Sequence, residues 1–131
     1  MPTTANAHIG RDHYQVTITA GKNVVIADEG EESGGKNEGF NPFELLLASL
    51  GACTCATVRM YADKKGMNLD EIKVNLSLAR DEEKNTTNIT RDVKFIGELT
   101  EEELAKLLAI ANKCPVHKIL SNPIQINTQM V

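Results

Sequence analysis

The sequence predicts an α+β fold in a single domain spanning residues 1–131, and three observations carry that expectation. Apolar and polar residues alternate over short runs bounded by polar turns, as they do in half-buried antiparallel strands. Two longer segments repeat instead at helical spacing, each opening on residues that favour a helix start. The two kinds of segment follow one another as β-β-α-β-β-α-β, an order that pairs strands locally and places a helix after each pair. At 131 residues and 14.3 kDa the chain is too short for a TIM barrel or a two-domain enzyme, and long enough to bury a core without disulfides.

Taken in order, Tyr14 to Ala20 alternates as a strand, Gly21-Lys22-Asn23 reads as a turn, and Val24 to Ala27 is the returning arm of a hairpin. Asp28 to Phe40 carries Gly30, Gly34, Gly35, Gly39 and five acidic residues, a composition expected of a surface loop. Asn41-Pro42 then opens a helix. Asparagine is a preferred N-cap, proline is tolerated at the first helical position, and Glu44 falls at the third, where its carboxylate can reach unpaired amides. From Phe43 to Val58 that glutamate is the only charge. A helix apolar all round must be enclosed on nearly every side, and these residues span about 24 Å. One small chain can hardly cover such a rod, so the pattern points to a dimer. Gly66 provides the stop.

Beyond it, Ile72, Val74, Leu76 and Leu78 mark a strand. Asp81 to Asn88 forms a polar turn, and Ile89, Arg91, Val93 and Phe95 mark the antiparallel partner. Thr100 and Glu103 form a capping box. Leu104, Leu107, Leu108 and Ala111 then make one apolar face that Cys114 continues, until Pro115 breaks the helix. Val116 to Leu120 fits one more helical turn, and Ile124 with Ile126 suggests a short closing strand.

Composition narrows the function. Aromatics are 4% and Trp is absent, so aliphatic side chains build the core. The net charge of −4 argues against nucleic acid and against an anionic membrane surface as partners. No run of about 18 consecutive apolar residues is present, and Met1 to Asn6 lacks the features of a signal peptide. The cytoplasm is the expected compartment. There three cysteines, an odd number for a disulfide framework, are expected to be reduced.

Cys53 and Cys55 lie about 200° apart on their helix and cannot pair with one another. The stripe Phe43, Leu46/Leu47, Leu50, Cys53, Thr57 is expected to be the most buried. Cys53 also sits in the small-residue stretch Gly51-Ala52-Cys53-Thr54, which leaves room beside its sulfur. Cys114 precedes Pro115 at a helix end and a helix start, where carbonyls raise and amides lower a thiol pKa. Inert packing, a zinc site built from the cysteines and His117, and a Cys114–His117 hydrolytic pair all remain open on these residues alone.

The segment Asn41-Pro42-Phe43-Glu44-Leu45-Leu46-Leu47-Ala48-Ser49-Leu50-Gly51-Ala52-Cys53-Thr54 is followed, 61 positions after Cys53, by Cys114-Pro115-Val116-His117. Together they resemble the OsmC-like family, relatives of the organic hydroperoxide resistance proteins, over nearly the whole chain. The resemblance implies an OsmC-like fold, with antiparallel sheets packed around long Cys-bearing helices at the centre of an intertwined homodimer. It implies a thiol-dependent peroxidase of the oxidative stress response, with no cofactor and no metal. In that pattern Cys53 is the attacking thiol and Cys114 the resolving one. The partners are a small organic hydroperoxide and a dithiol reductant, and Phe43, Leu46 and Leu50 supply apolar pocket walls.

The sequence also departs from the strongest peroxidases of that family, which carry an acid directly after the proline. Here Phe43 occupies that place and Glu44 follows one residue later, about 100° around the helix. Those relatives have an arm arginine that activates the thiol, and Arg11 is the only arginine before Cys53. Glu44, Arg11 and His117 are thus the expected supporting residues. The alternatives are a non-catalytic module binding a small molecule in an apolar dimer pocket, or a Cys/His metal or hydrolytic site.

Overall fold

A computed structural model describes residues 2–131. The architecture is α+β, with two antiparallel sheets and one long helix. The backbone divides into two compact units, Met1–Ala48 and Ser49–Val131.

In the first unit, β1 (Asn6–His8), β2 (Val16–Ala20) and β3 (Asn23–Ala27) form an antiparallel sheet in chain order. The β2–β3 hairpin pairs Val16 with Ala27 and Ala20 with Asn23 across a turn at Gly21, whose φ of 61° suits glycine. β1 has no alternation to announce it and is held by pairing with β2, from Asn6–Thr19 to His8–Thr17. The acidic segment that follows is more ordered than a solvated loop. Its first residue, Asp28, is 2% exposed. The Asp28 carboxylate accepts hydrogen bonds from the backbone N–H groups of Glu29 (2.8 Å), Glu38 (3.2 Å), Lys36 (3.3 Å) and Tyr14 (3.4 Å). The loop is thus wound around one buried anion. Gly35 is required there, because a Cβ would collide with the Glu29 carbonyl and the Asp28 carboxylate. Burial alone would push the Asp28 carboxyl up. The four amides outweigh it and hold its pKa below the ordinary 3.8.

The long helix α1 (Pro42–Lys65) starts as its residues dictate. Asn41 Oδ1 accepts from the Glu44 amide, and Glu44 Oε1 accepts from the Asn41 amide, both at 2.8 Å. The helix ends at Gly66, with φ 67°.

The second unit contains the rest of α1 with β4 (Leu69–Asp81), β5 (Thr86–Gly97), α2 (Glu101–Ala111) and α3 (Pro115–Leu120). β4 and β5 form a long antiparallel ribbon, longer than the apolar alternation at 72–78 and 89–95. Its polar outer end still pairs, Arg80 with Thr87 and Asp81 with Thr86, and Arg80 also bonds the Thr87 and Asn85 side chains. Thr100 and Glu103 form the expected capping box.

The core joins Val58 and Ala62 of α1 with Leu69, Leu107 and Ala111, flanked by Tyr61, Ile72, Phe95 and Leu99. The buried stripe of α1 therefore runs Leu50, Thr54, Val58, Ala62, at steps of four. It lies beside the expected stripe, leaving Cys53 half-buried on its flank. No closing strand forms at Ile124 and Ile126. Both are exposed, Ile126 at 85%, and residues 123–131 find no ladder partner among the described residues. Two apolar residues do not make a strand without a neighbour to pair its amides. By length and mean hydropathy (1.4 over 18 residues), α1 is long and apolar enough to cross a membrane. The packing of Val58 and Ala62 into the core is what a core helix of the same composition shows.

Leu107, fully buried at the centre of this cluster, is the position where truncation should cost most. Leu107→Ala is expected to lose about 2–5 kcal/mol, read as a lower urea midpoint. Asp28→Asn should destabilise the protein at neutral pH. A carboxyl whose folded pKa is depressed contributes stability that is present above 3.8 and is lost as pH falls through its lower folded value. The gap between wild type and Asp28→Asn in urea midpoint should therefore narrow on the acid side of 3.8. A gap independent of pH would show that the charge is not what holds the loop.

Candidate functional site

Four elements of the second unit converge on Cys114. The cysteine is fully buried at the N-cap of α3. Pro115 follows at the first helical position and has no N–H. The next two amides are free to bond outward, and each meets a sulfur. Val116 N–H donates to Cys53 Sγ at 3.5 Å, and His117 N–H donates to Cys114 Sγ at 3.3 Å. Two thiols 61 residues apart thus share one helical turn. No disulfide joins them; Cys53, Cys55 and Cys114 are all free.

α1 contributes Cys53 and the next residue, Thr54, which is fully buried. Thr54 Oγ1 donates to the Leu50 carbonyl at 2.7 Å and lies 3.9 Å from Cys114 Sγ. Cys53 Sγ also lies 3.9 Å from Thr57 Oγ1, one turn further along the helix. From β5 comes Arg91, which the sequence places on the same face as Ile89, Val93 and Phe95. Its Nη1 donates to Thr54 Oγ1 at 3.0 Å and reaches Cys114 Sγ at 3.9 Å. Its Nη2 donates to Asn112 Oδ1 at 2.9 Å, at the end of α2, and to His117 Nδ1 at 2.8 Å. Guanidinium nitrogens cannot accept, so this Nδ1 is the acceptor and the ring hydrogen sits on Nε2.

This arrangement acts on Cys114. Burial pushes its thiol up. The His117 amide, the neighbouring Cys53 and Thr54 side chains, and the Arg91 charge outweigh burial, and the pKa stands below its ordinary value of 9.0. A cavity of about 350 Å3 opens beside these groups, with Leu50, Ile89 and Leu120 on its apolar walls and Arg91, Asn112 and His117 among its polar ones.

The expected site residues fall into two sets. Cys53, Cys114, His117 and Leu50 lie together in the second unit. Glu44, Arg11, Phe43 and Leu46 belong to the first. Glu44 is engaged in the capping box with Asn41, and Arg11 is exposed. Phe43 is 66% exposed and Leu46 39%. The residues that sequence reasoning missed are Arg91, Thr54 and Asn112. For Arg91 a signal was present: a charge at an inward parity of an otherwise apolar strand is out of place unless it has inward partners. Thr54 and Asn112 gave none. Among the described residues no three of His, Cys, Asp and Glu converge as a metal-ligand set.

Comparisons with known proteins agree with this architecture. Residues 35–129 match the family described as OsmC-like protein. Among solved structures, the chain is similar to an organic hydroperoxide resistance protein OsmC from Legionella pneumophila, at 26% identity and TM-score 0.68 over 92% of this chain and 90% of that one. It is similar in fold to an OsmC-like protein from Mycoplasma pneumoniae, at 20% identity and TM-score 0.79, covering 92% and 87% of the two chains. The organic hydroperoxide resistance protein OhrB of Bacillus subtilis has the same fold, at 23% identity and TM-score 0.63 over 92% and 91%. Among curated proteins no relative matches. With the family match covering most of its length, the chain belongs to the OsmC-like protein family.

Proposed function

We propose that this protein is a cysteine-based peroxidase that reduces organic hydroperoxides through a Cys53/Cys114 dithiol–disulfide cycle, reset by a dithiol reductant. The observation that carries the reading is the meeting of two free thiols on successive amides of one turn, with a guanidinium beside Cys114. A thiol that attacks the O–O bond becomes a sulfenic acid, and a second thiol within reach condenses with it to a disulfide. Cys53 takes the attacking role because it is half-exposed, whereas Cys114 is shut away from solvent. The family membership and the name of the Legionella relative support the same chemistry.

The protein acts in this reading as a homodimer in the cytoplasm. Large apolar side chains left in water, among them Val24, Phe43, Met60 and Ile126, support a second chain as cover. A second reading draws on the cavity, whose apolar walls suit a non-catalytic binding module and whose lining includes neither sulfur.

Addition of one equivalent of cumene hydroperoxide should remove two of the three thiols, leaving Cys55. Cys53→Ser should abolish that loss, and Cys114→Ser should leave a trappable sulfenic acid on Cys53. Retention of all three thiols would sink the peroxidase reading. A ligand-dependent thermal shift surviving in the Cys53→Ser/Cys114→Ser protein would then favour the binding module.

A further inference from the structure

Arg91 is half-buried on the apolar face of β5, and no carboxylate lies within ion-pair distance of it among the described residues. Arginine does not lose its proton in proteins, so a guanidinium turned inward calls for a counter-charge. Three of its acceptors are neutral: Thr54 Oγ1, Asn112 Oδ1 and His117 Nδ1. The fourth contact, Cys114 Sγ, is the one that can become an anion. The groups facing that sulfur divide by element. α1 presents the Cys53 thiol and the Thr54 hydroxyl, β5 presents Arg91, and α3 presents the His117 amide. The end of α2 adds the neutral Asn112 through Arg91. His117, with Nδ1 occupied as an acceptor, adds no positive charge. Exposure separates the two sulfurs as well: a fully buried Cys114 is badly placed to meet a peroxide and well placed to touch Cys53.

We propose that Cys114 carries the thiolate of the reduced pair, held there by Arg91, and is the base that takes the Cys53 proton as Cys53 attacks an organic hydroperoxide. The role rests on the dithiol reading above. In the first step the Cys53 sulfur bonds to one peroxide oxygen as the O–O bond breaks. The thiol proton passes to the Cys114 thiolate, and the alkoxide that leaves takes a proton from water. Sulfur is oxidised to the sulfenic acid and the hydroperoxide is reduced to the alcohol. In the second step Cys114, now a thiol, bonds to the Cys53 sulfur. Its proton leaves with the sulfenic hydroxyl as water, and the disulfide remains. Arg91 is a positioning residue in both steps, since its charge acts through the Cys114 sulfur.

Ultraviolet thiolate absorbance against pH reads the charge without requiring access to the sulfur. The wild-type protein should show one early thiolate step that Cys53→Ser keeps and Cys114→Ser loses. Arg91→Met should move that step to higher pH, and Arg91→Lys should restore much of it, a pattern that a merely structural role would not produce. The rate of Cys53 sulfenic-acid formation with cumene hydroperoxide, followed by trapping and mass spectrometry, should fall by about 10²-fold in Cys114→Ser, the scale of a lost general base. An early step lost in Cys53→Ser and kept in Cys114→Ser would overturn the assignment. So would wild-type sulfenylation rates in Cys114→Ser at every pH. Retention of the Cys53 thiol in the wild-type protein after prolonged exposure to the hydroperoxide would instead overturn the dithiol reading, and the base role with it, while the absorbance titration still reports which sulfur is charged.

Discussion

A single guanidinium set among apolar side chains is the interaction on which the second unit's chemistry depends. Arg91 stands in a strand row with Ile89, Val93 and Phe95, opposite Leu76 across the ribbon. A charge in that place is costly unless its terminal nitrogens have partners. The structure meets the requirement by drawing three other elements to it: Thr54 from α1, Asn112 from the end of α2 and His117 from α3. Hydrogen bonds from a charged donor are worth about 1.5–3 kcal/mol each, so the constraint is strong on the scale of a small domain. Leu107, Val58 and Ala62 hold the helices together without specifying their ends. Arg91 ties the middle of α1, the end of α2 and α3 to one point.

The second constraint is local and covalent. Cys114-Pro115-Val116-His117 puts a residue without an N–H at the first helical position, so the first two free amides of α3 belong to Val116 and His117. One turns to the sulfur of its own N-cap and the other to a sulfur from α1. Proline thus decides which amides face the thiols, and Arg91, through the His117 ring, fixes the direction in which that turn points.

Much of this was legible residue by residue. Asn41-Pro42 with Glu44, Thr100 with Glu103, and Gly66 are local devices whose partners lie within a few positions, so the sequence displays them whole. The alternating ribbon was legible for the same reason. Devices whose partners are distant were not. β1 is three residues held by β2 alone, and Asp28 was hidden in an acidic segment because only folding decides which carboxylate receives four amides. The expected strand at Ile124 and Ile126 failed on the converse ground, since alternation supplies no partner. Cys53 was placed on the buried stripe because a period read from apolar residues ignores Thr54, which buries its hydroxyl by bonding the Leu50 carbonyl.

The residues named from the family's pattern and those gathered within the second unit share the two thiols. The pattern expects an acid right after Pro42 and a cation from the N-terminal arm. In this chain Phe43 stands in the acid's place, Glu44 closes a helix cap, and within the second unit the guanidinium beside Cys114 comes from β5. A cation delivered from β5 next to Cys114 polarises the sulfur of α3 first and that of α1 only through it. Should the pair act on peroxides, its reactivity would then be governed by a proton shared between two thiols, and Cys114 would have to stay buried for Arg91 to be effective. Water admitted beside Cys114 would weaken the Arg91 field, because the effective dielectric there would rise toward that of the solvent. The burial of Thr54 against Arg91 is therefore part of the electrostatics and not only of the core.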